Sequence, residues 1–235
     1  MLPNAAANAD LKSNTSKKVT FEDGVEANKI YYKHISDMEY YPLAWVDYKE
    51  EINEINGHEY VDLGLPSGLK WATCNIGAIS PEEYGDYFAW GETTTKDTYE
   101  TDNCPTFGLN ASQFIDGEGN LTSQYDAATA NWGGNWRMPT LDELNELKTN
   151  CTWTWGIQDG VNGYKVEGPN GNSIFLPAAG YRSGSSLYNA GSNGCYWSSA
   201  PYYNNDAFYL YFRSSSRSVG NNYRNGGHTA RPVRE

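Results

Sequence analysis

The sequence predicts an α+β domain: two short helices among many short mixed and antiparallel strands, preceded by a small N-terminal element. Three observations carry this reading. The chain has 235 residues, 39% hydrophobic and 14% aromatic, which suffices for a packed core. Its 24 Gly and 19 Tyr, with abundant Asn and Ser, point to frequent turns and short strands. Helix-start patterns stand at only two places.

The elements follow in order. Residues 1–20 are small and polar and read as a flexible arm. Residues 21–56 hold Phe21, Tyr31, Tyr32, Tyr40, Tyr41 and Trp45, too aromatic for a linker. Residues 1–56 together are expected to serve attachment or oligomerisation. A new module begins near Gly57 and runs to residue 235. Glu59–Leu63 and Leu69–Asn75 read as strands around the turn Pro66-Ser67-Gly68. Ser80-Pro81-Glu82-Glu83 predicts a helix start, with Ser as N-cap, Pro in the first turn and Glu three residues on. Thr140-Leu141-Asp142-Glu143 predicts a second, with Leu144 and Leu147 on one face and an end near Asn150. Residues 93–122 read as a long loop. Residues 162–167 and 172–177 read as a hairpin around Gly168-Pro169-Asn170-Gly171, where Asn-Gly supplies positive φ.

Charge is unevenly spread. Residues 1–180 carry 11 Lys+Arg against 27 Asp+Glu, while 181–235 carry six Arg against Asp206 and Glu235. An acidic body argues against nucleic acid as a partner, and the C-terminal arginines read as solvated surface or part of a binding face. No window reaches 18 apolar residues, so no membrane insertion is expected. Met1-Leu2-Pro3-Asn4 lacks the pattern of a signal peptide. Cys74, Cys104, Cys151 and Cys195 show no CxxC spacing, which disfavours zinc. One or two disulfides in an oxidising compartment and buried free thiols both fit. Asp97, Asp102, Asp116, Glu118 and Asp126 read as loop charges rather than a cation site. No metal or cofactor is expected.

The tract 181–234 is compositionally unusual. It contains no Lys, Glu, Gln or Met, and one Trp, Trp197, whereas residues 1–180 contain 31 residues of the first four types. At that frequency these 54 positions would hold about nine. Randomising the two adenines of an Asn codon, with the final pyrimidine kept, cannot yield Lys, Glu, Gln, Met or Trp. Adenine-directed mutagenesis by a diversity-generating retroelement would leave this signature. Within the tract, Phe208-Tyr209-Leu210-Tyr211-Phe212-Arg213 alternates with period two. Phe208, Leu210 and Phe212 are expected to face the core, and Tyr209, Tyr211 and Arg213 to face out. Exposed Tyr on a rigid strand, with Asn and Ser, is the composition of a recognition surface.

Several blocks carry a family resemblance. "EYVDLGLPSGLKWATCNIGA", "PEEYGDYFAWGETTTK", "YDAATANWGGNWRMPT", "NGNSIFLPAAGYRSGSSL", "YWSS" and the terminal "RPV" resemble the Fibrobacter succinogenes-type major paralogous domain. That family is related to the formylglycine-generating-enzyme-like branch of the C-type lectin fold, so the resemblance implies a C-type-lectin-like fold over residues 57–235. Many members resemble variable proteins of retroelement systems in gut bacteria and their phages. The resemblance implies that "GYR", "YWSS" and "RPV" are scaffold, as are Trp132, Trp136, Trp153, Trp155 and Trp197, with a hypervariable region at about 181–229. The ligand-binding positions it implies are Tyr188, Asn189, Asn193, Cys195, Tyr202, Tyr203, Asn204, Asn205, Tyr209, Tyr211, Arg213, Ser216, Ser218, Gly220, Asn221, Asn222, Tyr223, Asn225 and Gly226. It implies a receptor-binding protein on a phage tail, engaging a protein or glycan on a cell surface, as a homo-trimer or other homo-oligomer. A fixed bacterial adhesin or pilus-tip protein is the alternative within binding proteins, and a formylglycine-generating-type enzyme the alternative of another class. No GxSxG, HExxH or Gly-rich phosphate loop supports catalysis, so no catalytic residue is assigned.

Overall fold

A computed structural model describes residues 53–235, together with the backbone of two short strands that pair antiparallel, β1 (Tyr31–Lys33) and β2 (Tyr40–Pro42). The arm read at 1–20 and the rest of the aromatic segment up to residue 52 lie outside the described residues. One unit ends at Ile52 and a second runs from Asn53 to Glu235. The second opens with β3 (Glu54–Ile55), β4 (His58–Asp62) and β5 (Lys70–Ala72). After a long loop region come α1 (Ala127–Trp132), α2 (Leu141–Asn150), β6 (Thr152–Gln158), β7 (Val161–Glu167) and β8 (Ser173–Pro177). The C-terminal tract folds into β9 (Tyr181–Ser183), β10 (Ser186–Tyr188), β11 (Asn193–Pro201), β12 (Asp206–Arg213), β13 (Ser216–Tyr223) and β14 (Val233–Arg234).

These strands form four small sheets in the second unit: β14-β5-β4-β3, β6-β7-β8, β9-β10 and β11-β12-β13. The described residues are 39% strand and 10% helix. The α+β expectation, and the C-type-lectin-like arrangement tied to it, are therefore overturned: the fold is β-rich. The reason is local. Propagating a helix needs a run of good formers long enough to offset its costly first turn. The chain interrupts such runs with glycine, so only α2 reaches ten residues.

The expected helix at Ser80 illustrates this. Glu83 N–H donates to Ser80 O, and Ile79 N–H donates to the Glu83 carboxylate, so the segment closes a turn in place of the capping-box bonds between Ser80 and Glu83. Gly77 and Gly85 flank it at φ 80° and 70°, and the Asp86 N–H returns to Ile76 O. At Thr140 the helix does form, with both bonds of the capping box between Thr140 and Glu143. Helix α1, which the sequence reading omitted, starts on Asp126, whose side chain accepts from Thr129 N–H and Met138 N–H. Asp126 is thus a buried helix cap and not a loop charge. Gly133 and Gly134, both at positive φ, end α1 after six residues.

Two core clusters hold the β11–β13 sheet between them. Tyr196, Leu210 and Phe212 pack with Leu144 and Leu147 of α2 and with Tyr164, Val166 and Leu176 of β7 and β8. Trp197 and Ala207 join a second cluster with Phe88, Trp90, Trp136 and Met138. Trp132, Trp136 and Trp197 are buried, and Trp153 and Trp155 pack against the first cluster. All four cysteines are free, three of them buried.

Candidate functional site

The register of the β11–β13 sheet sorts the C-terminal tract into two faces. Cys195 lies opposite Tyr211, and Tyr211 opposite Ser218; Asn193, Arg213 and Ser216 align next, and Trp197, Tyr209 and Gly220 on the other side. With side chains alternating across a strand, these residues and Asn222 share one face. Tyr196, Leu210, Phe212, Val219, Asn221 and Tyr223 share the other, whose centre packs on α2 and the first core. Gly194 lets the Phe212 ring lie against β11: a Cβ there would stand 2.0 Å from the ring.

The front face is graded. Arg213, Ser216 and Ser218 are exposed, and Tyr211 and Asn193 half-buried. Arg213 Nε donates to Ser216 Oγ at 3.1 Å. Toward the other end the face closes. Tyr209, expected to point out freely, is half-buried against Trp197 and His228, with ring centres 6.1 and 5.2 Å away. Cys195 is shut from solvent, so its side chain offers no contact area, and burial pushes its thiol up to about 12, which keeps it protonated and unreactive at neutral pH. Phe208, expected in the core, is half-buried beneath Tyr202. Tyr209 is covered because segments distant in sequence pack on that face of β12, and Phe208 is opened because its β11 partner strand shifts register between Trp197 and Pro201.

The closing end is built by segments distant in sequence. The β9–β10 hairpin stacks Tyr181 on Tyr188 at 5.6 Å, and exposed Asn189 follows at φ 56°. Arg182 pairs with Gly227 through two backbone bonds, and His228 likewise with Phe88. These ladders set Tyr181, Arg182, Asn222, Tyr223, Asn225 and His228 around a cleft of about 220 Å³ that also includes Gly226. His228 stacks flat on Trp197 at 4.0 Å and is fully buried, which pulls its pKa down to about 3. It is therefore neutral. Asn222 Nδ2 stands 3.4 Å from its Nε2, while Nδ1 and the nearby Asn225 Oδ1 have no hydrogen-bond partner.

Beside this cleft, the β12 entry loop presents Tyr202, Tyr203, Asn204 and Asn205, all exposed, with the two tyrosine rings 4.3 Å apart. Tyr223 is also exposed and lies edge-on to Phe107 at 6.1 Å. One residue secures the loop. Arg224 is fully buried, 4.5 Å from the centre of Trp90, and donates to four backbone carbonyls: Tyr203, Asp206, Thr106 and Leu109. Arg231 is held likewise in the scaffold, donating to the Asn75 side-chain oxygen and to the backbone carbonyls of Ala72, Thr73 and Phe175. The reading of the C-terminal arginines as solvated or binding surface fails for these two. Sequence reasoning also missed Tyr181, Arg182 and His228, which lie in or beside blocks read as scaffold. No group of three His, Cys, Asp or Glu side chains among the described residues could hold a metal ion.

Comparison with known families gives one match. A model described as Domain of unknown function (DUF8237) covers residues 162–233. The matched stretch runs from β7 to β14 and includes the whole front face and cleft. No curated protein and no solved structure matches the chain.

Proposed function

We propose that this protein binds a receptor, protein or glycan, on a cell surface through a diversified Tyr/Asn/Ser-rich face, as a phage tail receptor-binding protein does. We infer that its gene is the target of a diversity-generating retroelement. The observation that carries the reading is a coincidence of two patterns. The tract without Lys, Glu, Gln and Met is the tract that builds the front face, the tyrosine loop and the cleft. A surface diversified from Asn codons would have this composition and this placement, with Trp197 fixed as a packing residue beneath it. Outward changes on such a sheet alter stability little, and a patch of about 800 Å² per partner is a standard interface. Homo-oligomeric display would add avidity.

The genetic test is to sequence the gene and its flanks in many isolates. Variation concentrated at the front-face and loop positions, at codons matching Asn in a nearby template repeat, supports the reading. An invariant 181–234 tract with no template repeat overturns diversification and leaves a fixed adhesin. The binding test uses labelled full-length protein against a panel of gut bacterial isolates. Tyr188→Ala with Tyr211→Ala should lower cell binding at least tenfold with the fold intact; unchanged binding refutes the face.

A further inference from the structure

We propose that the outer edge of β6 is an interface between two copies of this chain, which pair there strand to strand, antiparallel about Trp155. The inference does not depend on what the front face binds.

The first observation is the edge itself. Strand β6 stands at the end of the β6-β7-β8 sheet, and its register with β7 runs unbroken from Thr152 to Gln158. The hairpin closes through Asp159 and Gly160 at φ 45° and 84°, a two-residue turn. Such a turn makes its flanking residues, Gln158 and Val161, a hydrogen-bonded pair, and bonded and unbonded pairs alternate from there. Gln158, Gly156, Thr154 and Thr152 therefore bond to β7. Trp153, Trp155 and Ile157 turn their N–H and C=O groups away from it. The same alternation shows on β7, where Asn162 O accepts from Ala178 N–H on the side of β8. None of the outward groups of Trp153, Trp155 and Ile157 has a backbone partner among the described residues. The opposite edge of the sheet is covered: Phe175 O accepts from Arg231 and Pro177 O from Tyr196.

The second observation is what this edge displays. Free edges are ordinarily blunted by charges, proline or a bulge. β6, with the sequence TWTWGIQ, has none of these, whereas β13, the edge strand of the β11-β12-β13 sheet, carries Arg217. Trp153, Trp155 and Ile157 share one face with Tyr164 and Val166. The two tryptophans pack against the first core, and Ile157, past its rim, is 73% exposed. An apolar row therefore runs along the open edge and beyond the core that covers its start.

The third observation decides the occupant. Laid antiparallel on a second copy about Trp155, the strand sets Trp155 against Trp155, Trp153 against Ile157, Thr154 against Gly156 and Thr152 against Gln158. The outward residues of both copies then fall into one register, and each of their pairs exchanges two backbone hydrogen bonds. Apolar side chains meet apolar ones, and no charge is buried although the chain has a formal net charge of −12. The ends match as well. Arg217 lies over Trp153, 5.5 Å from its ring centre, and Asp159 stands just past the Ile157 end. Neither forms an ion pair with a described residue, and antiparallel pairing brings the Arg217 end of each copy to the Asp159 end of the other. The arrangement is isologous and closes at two copies. An extended peptide of another protein could add to the same edge, but only a second copy matches the apolar row and both charged ends by symmetry. β6 itself lies outside 181–234, so changes on the front face leave the pairing strand intact.

The test is sedimentation velocity of the full chain at rising concentration. A species of twice the 26.2 kDa of one chain is expected. Ile157→Lys should weaken its formation at least tenfold. Ile157→Pro removes an N–H that β7 does not use and should act likewise with the monomer folded. Ile79→Lys, at an apolar residue 91% exposed and not on β6, should leave assembly unchanged. Hydrogen exchange read by NMR should slow at the Trp153, Trp155 and Ile157 amides as concentration rises, and should not in Ile157→Lys. Circular dichroism checks that each variant folds, and exchange in the unaltered chain carries the test if neither Ile157 variant does. A chain that stays monomeric, assembly that persists in both Ile157 variants, a trimer as the smallest assembled species, or exchange at the three amides that ignores concentration overturns the proposal.

Discussion

Replacing Arg224 with Met should unfold the tyrosine loop and destabilise the whole β11–β13 sheet, although Arg224 touches no ligand. Its guanidinium donates to the carbonyls of Tyr203 and Asp206 on one side and Thr106 and Leu109 on the other. It thereby ties the exposed Tyr202–Asn205 loop to the 104–109 loop. Each hydrogen bond to a charged group contributes about 1.5–3 kcal/mol, but the four share one side chain and do not add. Against them stands the cost of burying an unpaired cation; that burial pulls the Arg224 pKa below its usual value. Met would keep much of the volume over Trp90 and remove the cation, while leaving the carbonyls without their donor. Tyr203, Asp206 and Thr106 keep a backbone N–H donor each, so the balance, two or three charge-assisted bonds lost less the relief of no longer burying the cation, is a loss of about 3–5 kcal/mol. For a domain of this size each kcal/mol shifts Tm by about 2–4 °C, so a fall of about 6–20 °C is expected. Differential scanning calorimetry measures it, and limited proteolysis should place the first new cleavage between Tyr202 and Asn205. A fall of less than about 3 °C, or new cleavage elsewhere first, would refute the clamp.

Four further predictions follow from the same geometry. His228 has a folded pKa of about 3 against an ordinary 6.5, so the unfolded chain binds the extra proton between those values. Its contribution is complete above pH 6.5 and is lost as pH falls toward 3, by roughly 2–3 kcal/mol at pH 4.5; His228→Gln should remove that part of the acid sensitivity in urea titrations at pH 7 and 4.5. Phe212→Ala empties a fully buried ring site between β11 and α2 and should cost about 3–5 kcal/mol by denaturant unfolding. Ser216→Tyr and Ser218→Asn, on the exposed end of the front face, should each change stability by less than about 0.5 kcal/mol; a cost like that of Phe212→Ala would show that this end is covered. Cys195 should resist iodoacetamide in the folded chain and react on unfolding, as read by mass spectrometry, because burial raises its thiol pKa to about 12.

Much of the local structure was legible in the chain. The capping box at Thr140 formed its helix because both of its bonds are made within four residues. The hairpin around Gly168–Gly171 formed because Asn-Gly dictates a turn whatever surrounds it. The period-two pattern of residues 208–213 gave a strand with Leu210 and Phe212 in the core. What failed were statements that depended on neighbours. Ser80 began a turn because Gly77 before it and Gly85 after it bend the chain too close by for a helix to propagate. The fold class was misjudged because two helix signals were weighed against strands too short to register singly, and together those strands dominate.

The sequence by itself determined which segment stands apart, since the absence of four residue types in 181–234 is a property of composition and needs no coordinates. It also determined which residues of β12 could share a face, because alternation is a backbone rule. Only the tertiary structure decided what each of those faces meets. Tyr209, Tyr211 and Arg213 are equivalent in the sequence pattern, yet Tyr209 rests on Trp197 and His228 while Arg213, at the far end, is exposed. Arg182, Arg213 and Arg224 are chemically alike, yet one stacks on Tyr87, one is solvated and one is buried among carbonyls. Burial depends on residues more than a hundred positions away, such as Thr106 for Arg224, and no local pattern carries that information.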